Sequence, residues 1–167
     1  MGINVDKSYF RERLENCKSY GEIFEVVKKV VKEVLGLRRV GLLLYLEDLP
    51  PHIGAYHQIG SNGIVLNRWL LNIMSKSLMS KTEFNSLIFS LLLHEYIHTL
   101  GFLDEKEVRR LVYEISLNAF GEGHPAVRMA MEPPLISAPT KPFEENLDYS
   151  RLEIVKDFER IEHSYII

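Results

Sequence analysis

His94-Glu95-Tyr96-Ile97-His98, followed at once by Thr99-Leu100-Gly101-Phe102-Leu103-Asp104, reads H-E-x-x-H-x-x-G-x-x-D. On a helix, residues four apart stand one above the other on the same face. His94 and His98 can therefore grip one metal ion together. Glu95 lies one position round, beside a water polarised by that ion. The spacing predicts hydrolytic chemistry in which a metal activates water and a carboxylate takes its proton.

The setting of the two histidines supports this. Leu87, Ile88, Phe89, Leu91, Leu92 and Leu93 precede them and are apolar nearly all round a helix, so this helix is expected to be buried. Buried imidazole nitrogens need partners, and a metal supplies them. Catalytic zinc takes three protein ligands and keeps one position open. Asp104, six residues after His98, can return to the metal if Gly101 ends the helix and turns the chain. Asp104 with Glu107 also reads as a helix start, since Asp is a favoured N-cap. Glu105, His124, Glu114 and Glu122 are further candidates for the third ligand. His52, His57 and His163 have no spacing that recommends them.

The elements that must hold these residues can be read in outline. A short helix is expected over 7–17, with Phe10, Leu14 and Cys17 on one face. Ser19 to Glu22 forms a capping box that opens a helix to about Leu35, stopped by Gly36. The run 39–46 and the stretch 52–59 have strand character. Ser61-Asn62-Gly63 is a hairpin-type turn, and Ile64 to Leu66 make a third strand. Asn67 can cap a helix over 68–78. Ser80 to Glu83 is a second capping box and opens the motif helix, which should end near Leu100. A further helix is expected over 104–120, a loop at 121–125, irregular chain over 135–145 and a last helix over 147–162. Consecutive strands flanked by helices predict an α+β domain with a small antiparallel or mixed sheet packed on helices.

Composition bounds the rest. The chain has 167 residues, enough for one domain over 1–167, and 46% hydrophobic residues, an ordinary globular share. The formal net charge of -3 implies no bulk attraction to nucleic acid or to acidic membranes. A single cysteine, Cys17, forbids an internal disulfide and points to a reducing compartment. The N-terminus has no apolar signal core and no run reaches membrane-spanning length. A cytoplasmic protein without membrane or nucleic-acid partners is expected.

The motif resembles the zincin metallopeptidases, marked by H-E-x-x-H. Its extension to position 104 is similar to the metzincin branch, H-E-x-x-H-x-x-G-x-x-H, in which Asp is a less common third ligand. The resemblance is dense over 94–104 and implies a zincin-like domain built round a central buried H-E-x-x-H helix. It implies one Zn2+ per chain on His94, His98 and Asp104, with Glu95 as general base and then as proton donor to the leaving amine. A peptide or protein would be the substrate. Asp104 is the departure, since most members carry His there. Metzincins also place a methionine turn beneath the metal, for which Ala130-Met131-Glu132-Pro133 is a candidate. The strand over 63–66 resembles the edge strand that pairs with an extended substrate. The small rRNA-maturation endoribonucleases have similar histidine spacing, at positions 1, 5 and 11 of their motif, but generally lack the glutamate. A zinc-bound domain without activity would have no use for Glu95.

Overall fold

The computed structural model describes residues 4–132 and 152–159. In chain order the elements are α1 (Lys7–Glu15), α2 (Tyr20–Leu35), β1 (Leu43–Glu47), β2 (Ala55–His57), β3 (Gly63–Asn67), α3 (Arg68–Ser75), α4 (Lys81–Thr99), α5 (Glu105–Phe120), α6 (Pro125–Met131) and β4 (Glu153–Ile154). The fold is α+β, with helices packed on a small mixed four-stranded sheet. No described helix is long and apolar enough to cross a membrane.

The strand order is β2-β3-β1-β4. β1 and β3 run parallel, with Leu44 opposite Ile64 and Leu46 opposite Leu66. β2 returns antiparallel on β3, and β4 lies antiparallel on the far side of β1. Leu44, Leu46, Ile64 and Leu66 alternate onto one face and are buried against the helices. Among the described residues, β3 is thus an interior strand, and the edge beside it is β2. The resemblance of 63–66 to a substrate-binding edge strand is corrected accordingly.

α4 is the central element. Ser80 accepts from the Glu83 amide at 3.1 Å, and the Glu83 carboxylate accepts from the Ser80 amide at 3.1 Å, closing the capping box that the sequence announced. Leu87, Ile88, Phe89, Leu92, Leu93, Tyr96 and Ile97 are buried in a single core with Phe24, Val27 and Val31 of α2 and with Val108, Val112 and Ile115 of α5. Asn85 donates to the Leu14 and Cys17 carbonyls, tying α1 to α4. At the other end, Arg39 donates to the Thr99 carbonyl at 2.7 Å and to the Ser61 carbonyl at 3.3 Å. Its own amide donates to the Tyr96 hydroxyl at 2.9 Å. The last turn of the motif helix is thereby fixed to the loop between β2 and β3.

Two expectations fail at the C-terminal end. Glu153 and Ile154, inside the range expected for a last helix over 147–162, form β4 instead. The Val155 amide donates to the Leu44 carbonyl, Phe158 stacks on Phe24 with centroids 4.2 Å apart, and Glu159 accepts from the Gly41 and Leu42 amides. Pairing with β1 overrides the helical spacing of Leu152, Val155 and Phe158. The remainder of that range, 147–151 and 160–162, lies outside the described residues, as does the irregular stretch expected over 135–145. The second failure is Met131, the candidate for a methionine turn. It ends α6 and is 64% exposed, so it stands at the solvent-facing end of a helix rather than in a buried tight turn.

α6 opens at His124, whose Nδ1 accepts from the Ala126 amide at 3.1 Å while its ring stacks on Phe120 at 4.5 Å. Burial, helped by the charges of Arg11 and Arg128, pushes the His124 pKa down from 6.5 to about 4. The unfolded chain binds this proton more readily than the folded one. Stability from His124 is therefore complete above pH 6.5 and is lost as the pH falls toward 4, by at most about 3 kcal/mol. His124→Asn keeps a capping acceptor but binds no proton, so its urea midpoint should fall less between about pH 7 and pH 4.5. Parallel losses in both proteins would show that His124 is not the titrating group.

Candidate metal centre

The chain that links α4 to α5 explains how the site is assembled. α4 ends at Thr99, and Gly101 takes a positive φ of 105°, which a side chain would resist. The chain reverses through Phe102 and Leu103, and Asp104 caps α5 by accepting from the Lys106 amide at 3.0 Å. A cap folds its side chain back onto its own helix. The next residue, Glu105, is then the first on α5 whose carboxylate reaches across to α4.

It reaches both histidines. Glu105 Oε2 lies 3.0 Å from His94 Nε2, and Glu105 Oε1 lies 2.6 Å from His98 Nε2. One ligand atom from each of His94, His98 and Glu105 can be chosen so that all lie within 4.8 Å of one another. The two imidazoles are 5.1 Å apart between centroids. Two histidines and a carboxylate are a donor set suited to a divalent cation with an open coordination position.

The orientation of His98 suits such an ion. His98 Nδ1 sits 2.8 Å from the Phe102 carbonyl oxygen, which can only accept. Nδ1 therefore carries the proton, and in the neutral ring Nε2 turns a lone pair toward the Glu105 oxygen 2.6 Å away. A proton on Nε2 makes that contact an ion pair, and a divalent ion would take the place of such protons among the three donors. The Phe102 carbonyl then acts as the outer partner that orients a ligating histidine.

The charge states agree. Burial lowers the pKa of His94; Glu105 opposes this, and His98 and Arg109 add to it. Burial raises the carboxyl of Glu105, but His94 and His98 outweigh it and hold the group below its ordinary value. Burial thus favours the neutral His94 ring, the form that binds metal. Glu95 is different. It is 6% exposed and makes no hydrogen bond within the described structure. Burial pushes its carboxyl up to about 7, with His98 opposing and Glu105 adding. A carboxyl that titrates near neutrality beside a metal-type donor set has the proton affinity of a general base.

Comparison with family models, with curated proteins and with solved structures returns no match. The functional reading therefore rests on the residues.

Of the residues that the motif singles out, the structure brings His94 and His98 together and sets Glu95 beside them. Asp104, first choice for the third ligand on spacing, is placed elsewhere, as the cap of α5. Its neighbour Glu105 stands in that position instead. Glu114, Glu122 and His124 are not in the cluster. Glu114 pairs with Arg110 at 3.0 Å, Glu122 is exposed in the loop before α6, and His124 caps that helix. His57 Nδ1 bonds to the Gly63 carbonyl at 2.8 Å, His52 is exposed, and His163 lies outside the described residues.

Proposed function

We propose that this chain is a zinc-dependent metallopeptidase of zincin-like, metzincin-like build, with His94, His98 and Glu105 as ligands and Glu95 as general base. The observation that carries this reading is Glu95, a buried carboxyl raised to about 7 beside three convergent metal donors. A ligand set used only for structure has no need of such a group.

Bound zinc would supply Lewis acidity, lowering the pKa of water and polarising the carbonyl of the scissile bond. The chain's residues do the rest. Glu95 accepts the proton of the attacking water and returns it to the leaving amine. His98, locked by the Phe102 carbonyl, keeps its Nε2 turned inward through the cycle. The open edge of β2, which packs against α4, offers backbone groups to which an extended peptide can pair. The endoribonucleases of similar histidine spacing generally lack the glutamate that stands here at Glu95, and a general base at that position favours peptide hydrolysis.

The test is cleavage of a quenched-fluorescent peptide library by zinc-loaded protein. Cleavage lost to 1,10-phenanthroline and restored by zinc is the expected result. Cleavage of RNA but of no peptide would overturn the proposal.

A further inference from the structure

Glu105 and Arg109 are four residues apart on α5 and share one face. Side chains of a helix lean toward its N-terminus, which aims Arg109 at the turn carrying Glu105. Glu105 itself is within 3.0 Å of His94 Nε2. Arg109 is exposed and makes no hydrogen bond or ion pair within the described structure, whereas its neighbour Arg110 is paired with Glu114. Glu107 and Glu114 stand on nearly the opposite side of α5, and the carboxylate of Glu105 is committed to the histidines. Within the described structure, a guanidinium without a counter-ion thus stands one helical turn from Glu105.

We infer that Arg109 is a specificity-determining residue that selects substrates carrying a carboxylate next to the scissile bond. The inference rests on the peptidase reading of the same site. A guanidinium presents paired N–H donors that match the two oxygens of a carboxylate. A bound metal would draw anions to the site, and Arg109 adds a second anchor at a fixed offset along α5. The carboxylate can be an acidic side chain or the C-terminus of the peptide.

The first experiment measures binding rather than turnover. Zinc-loaded wild type, Arg109→Ala and Arg109→Lys are titrated calorimetrically with succinic monohydroxamate and with its terminal amide. Both probes carry the same metal-seeking group and differ only in the carboxylate. Wild type should bind the carboxylate probe about fivefold more tightly, the yield of one well-placed ion pair. Arg109→Ala should bind both probes alike with unchanged zinc content, and Arg109→Lys should keep part of the preference. A wild type without preference, or an Arg109→Ala variant that keeps it, overturns the inference and leaves the peptidase reading standing. Failure of both probes to bind zinc-loaded wild type overturns the reading of an open, catalytic zinc site and this inference with it. Matched peptides then separate the sources. Loss of the Glu-over-Gln preference in kcat/KM in Arg109→Ala identifies an acidic side chain, and loss of the free-over-amidated preference identifies a C-terminus. Wild type indifferent to both pairs contradicts the proposal.

Discussion

Glu95→Gln is expected to slow peptide hydrolysis by about 10²–10⁴-fold, the usual contribution of a positioned acid–base group, while zinc content stays that of wild type. Glutamine has the shape of the glutamate but cannot accept the proton of water. Glu95 has no hydrogen bond to lose within the described structure and is already disfavoured as an anion by burial. A neutral isostere therefore fits the pocket without electrostatic cost, and the melting temperature should not fall. Metal analysis, thermal melting and kcat/KM on one purified sample separate these effects. Undiminished hydrolysis would remove Glu95 from the mechanism. Loss of zinc would show that it supports the ligands rather than the chemistry.

His98→Ala is expected to have the second largest effect, a loss of at least about 100-fold in zinc affinity together with a lower melting temperature. His98 is one of three donors and the one whose orientation is fixed from behind by the Phe102 carbonyl. Its removal leaves two donors, too few for a stable catalytic zinc site. The fold suffers because metal bound only by the native state adds its binding free energy to stability. The difference should be read with and without chelator. If zinc is the link, EDTA lowers the wild-type melting temperature toward that of the variant and leaves the variant unchanged. An equal gap between the two proteins in EDTA would trace the loss to packing instead.

What the sequence made legible, and what it did not, follows the range of the interactions. The capping box at Ser80 and Glu83, the cap at Ser19 and the stop at Gly36 are local, and a reader of the chain finds them at once. The histidine pair and Glu95 are also local, because one helix places all three. Glu105 is where local reading stops. Asp104 and Glu105 are adjacent carboxylates, and spacing cannot say which one turns toward α4. The helix start decides, because it takes the better cap, Asp104, and leaves the next carboxylate free.

The sheet was harder. A hairpin of β2 and β3 is expected from Asn62-Gly63, but the chain turns earlier, over 58–61 with Gly60 at a φ of 86°, and Gly63 opens β3. Nothing local says that β1 joins β3 in parallel. β4 pairs with residues far back along the chain, Tyr45 and Leu46 of β1, and its apolar spacing imitates a helix. α6 begins with a histidine as its cap, outside the usual set of capping residues. Its length of seven residues gives periodicity little room to show.

The most direct test is metal content by elemental analysis on wild type, Glu105→Ala and Asp104→Ala, each purified without chelator and without a histidine tag. About one zinc per chain is expected in wild type and in Asp104→Ala, which should lose only about 1 kcal/mol of stability as a cap. Glu105→Ala should retain none after dialysis. Zinc kept by Glu105→Ala and lost by Asp104→Ala, or no zinc in wild type even after its addition, would contradict the site.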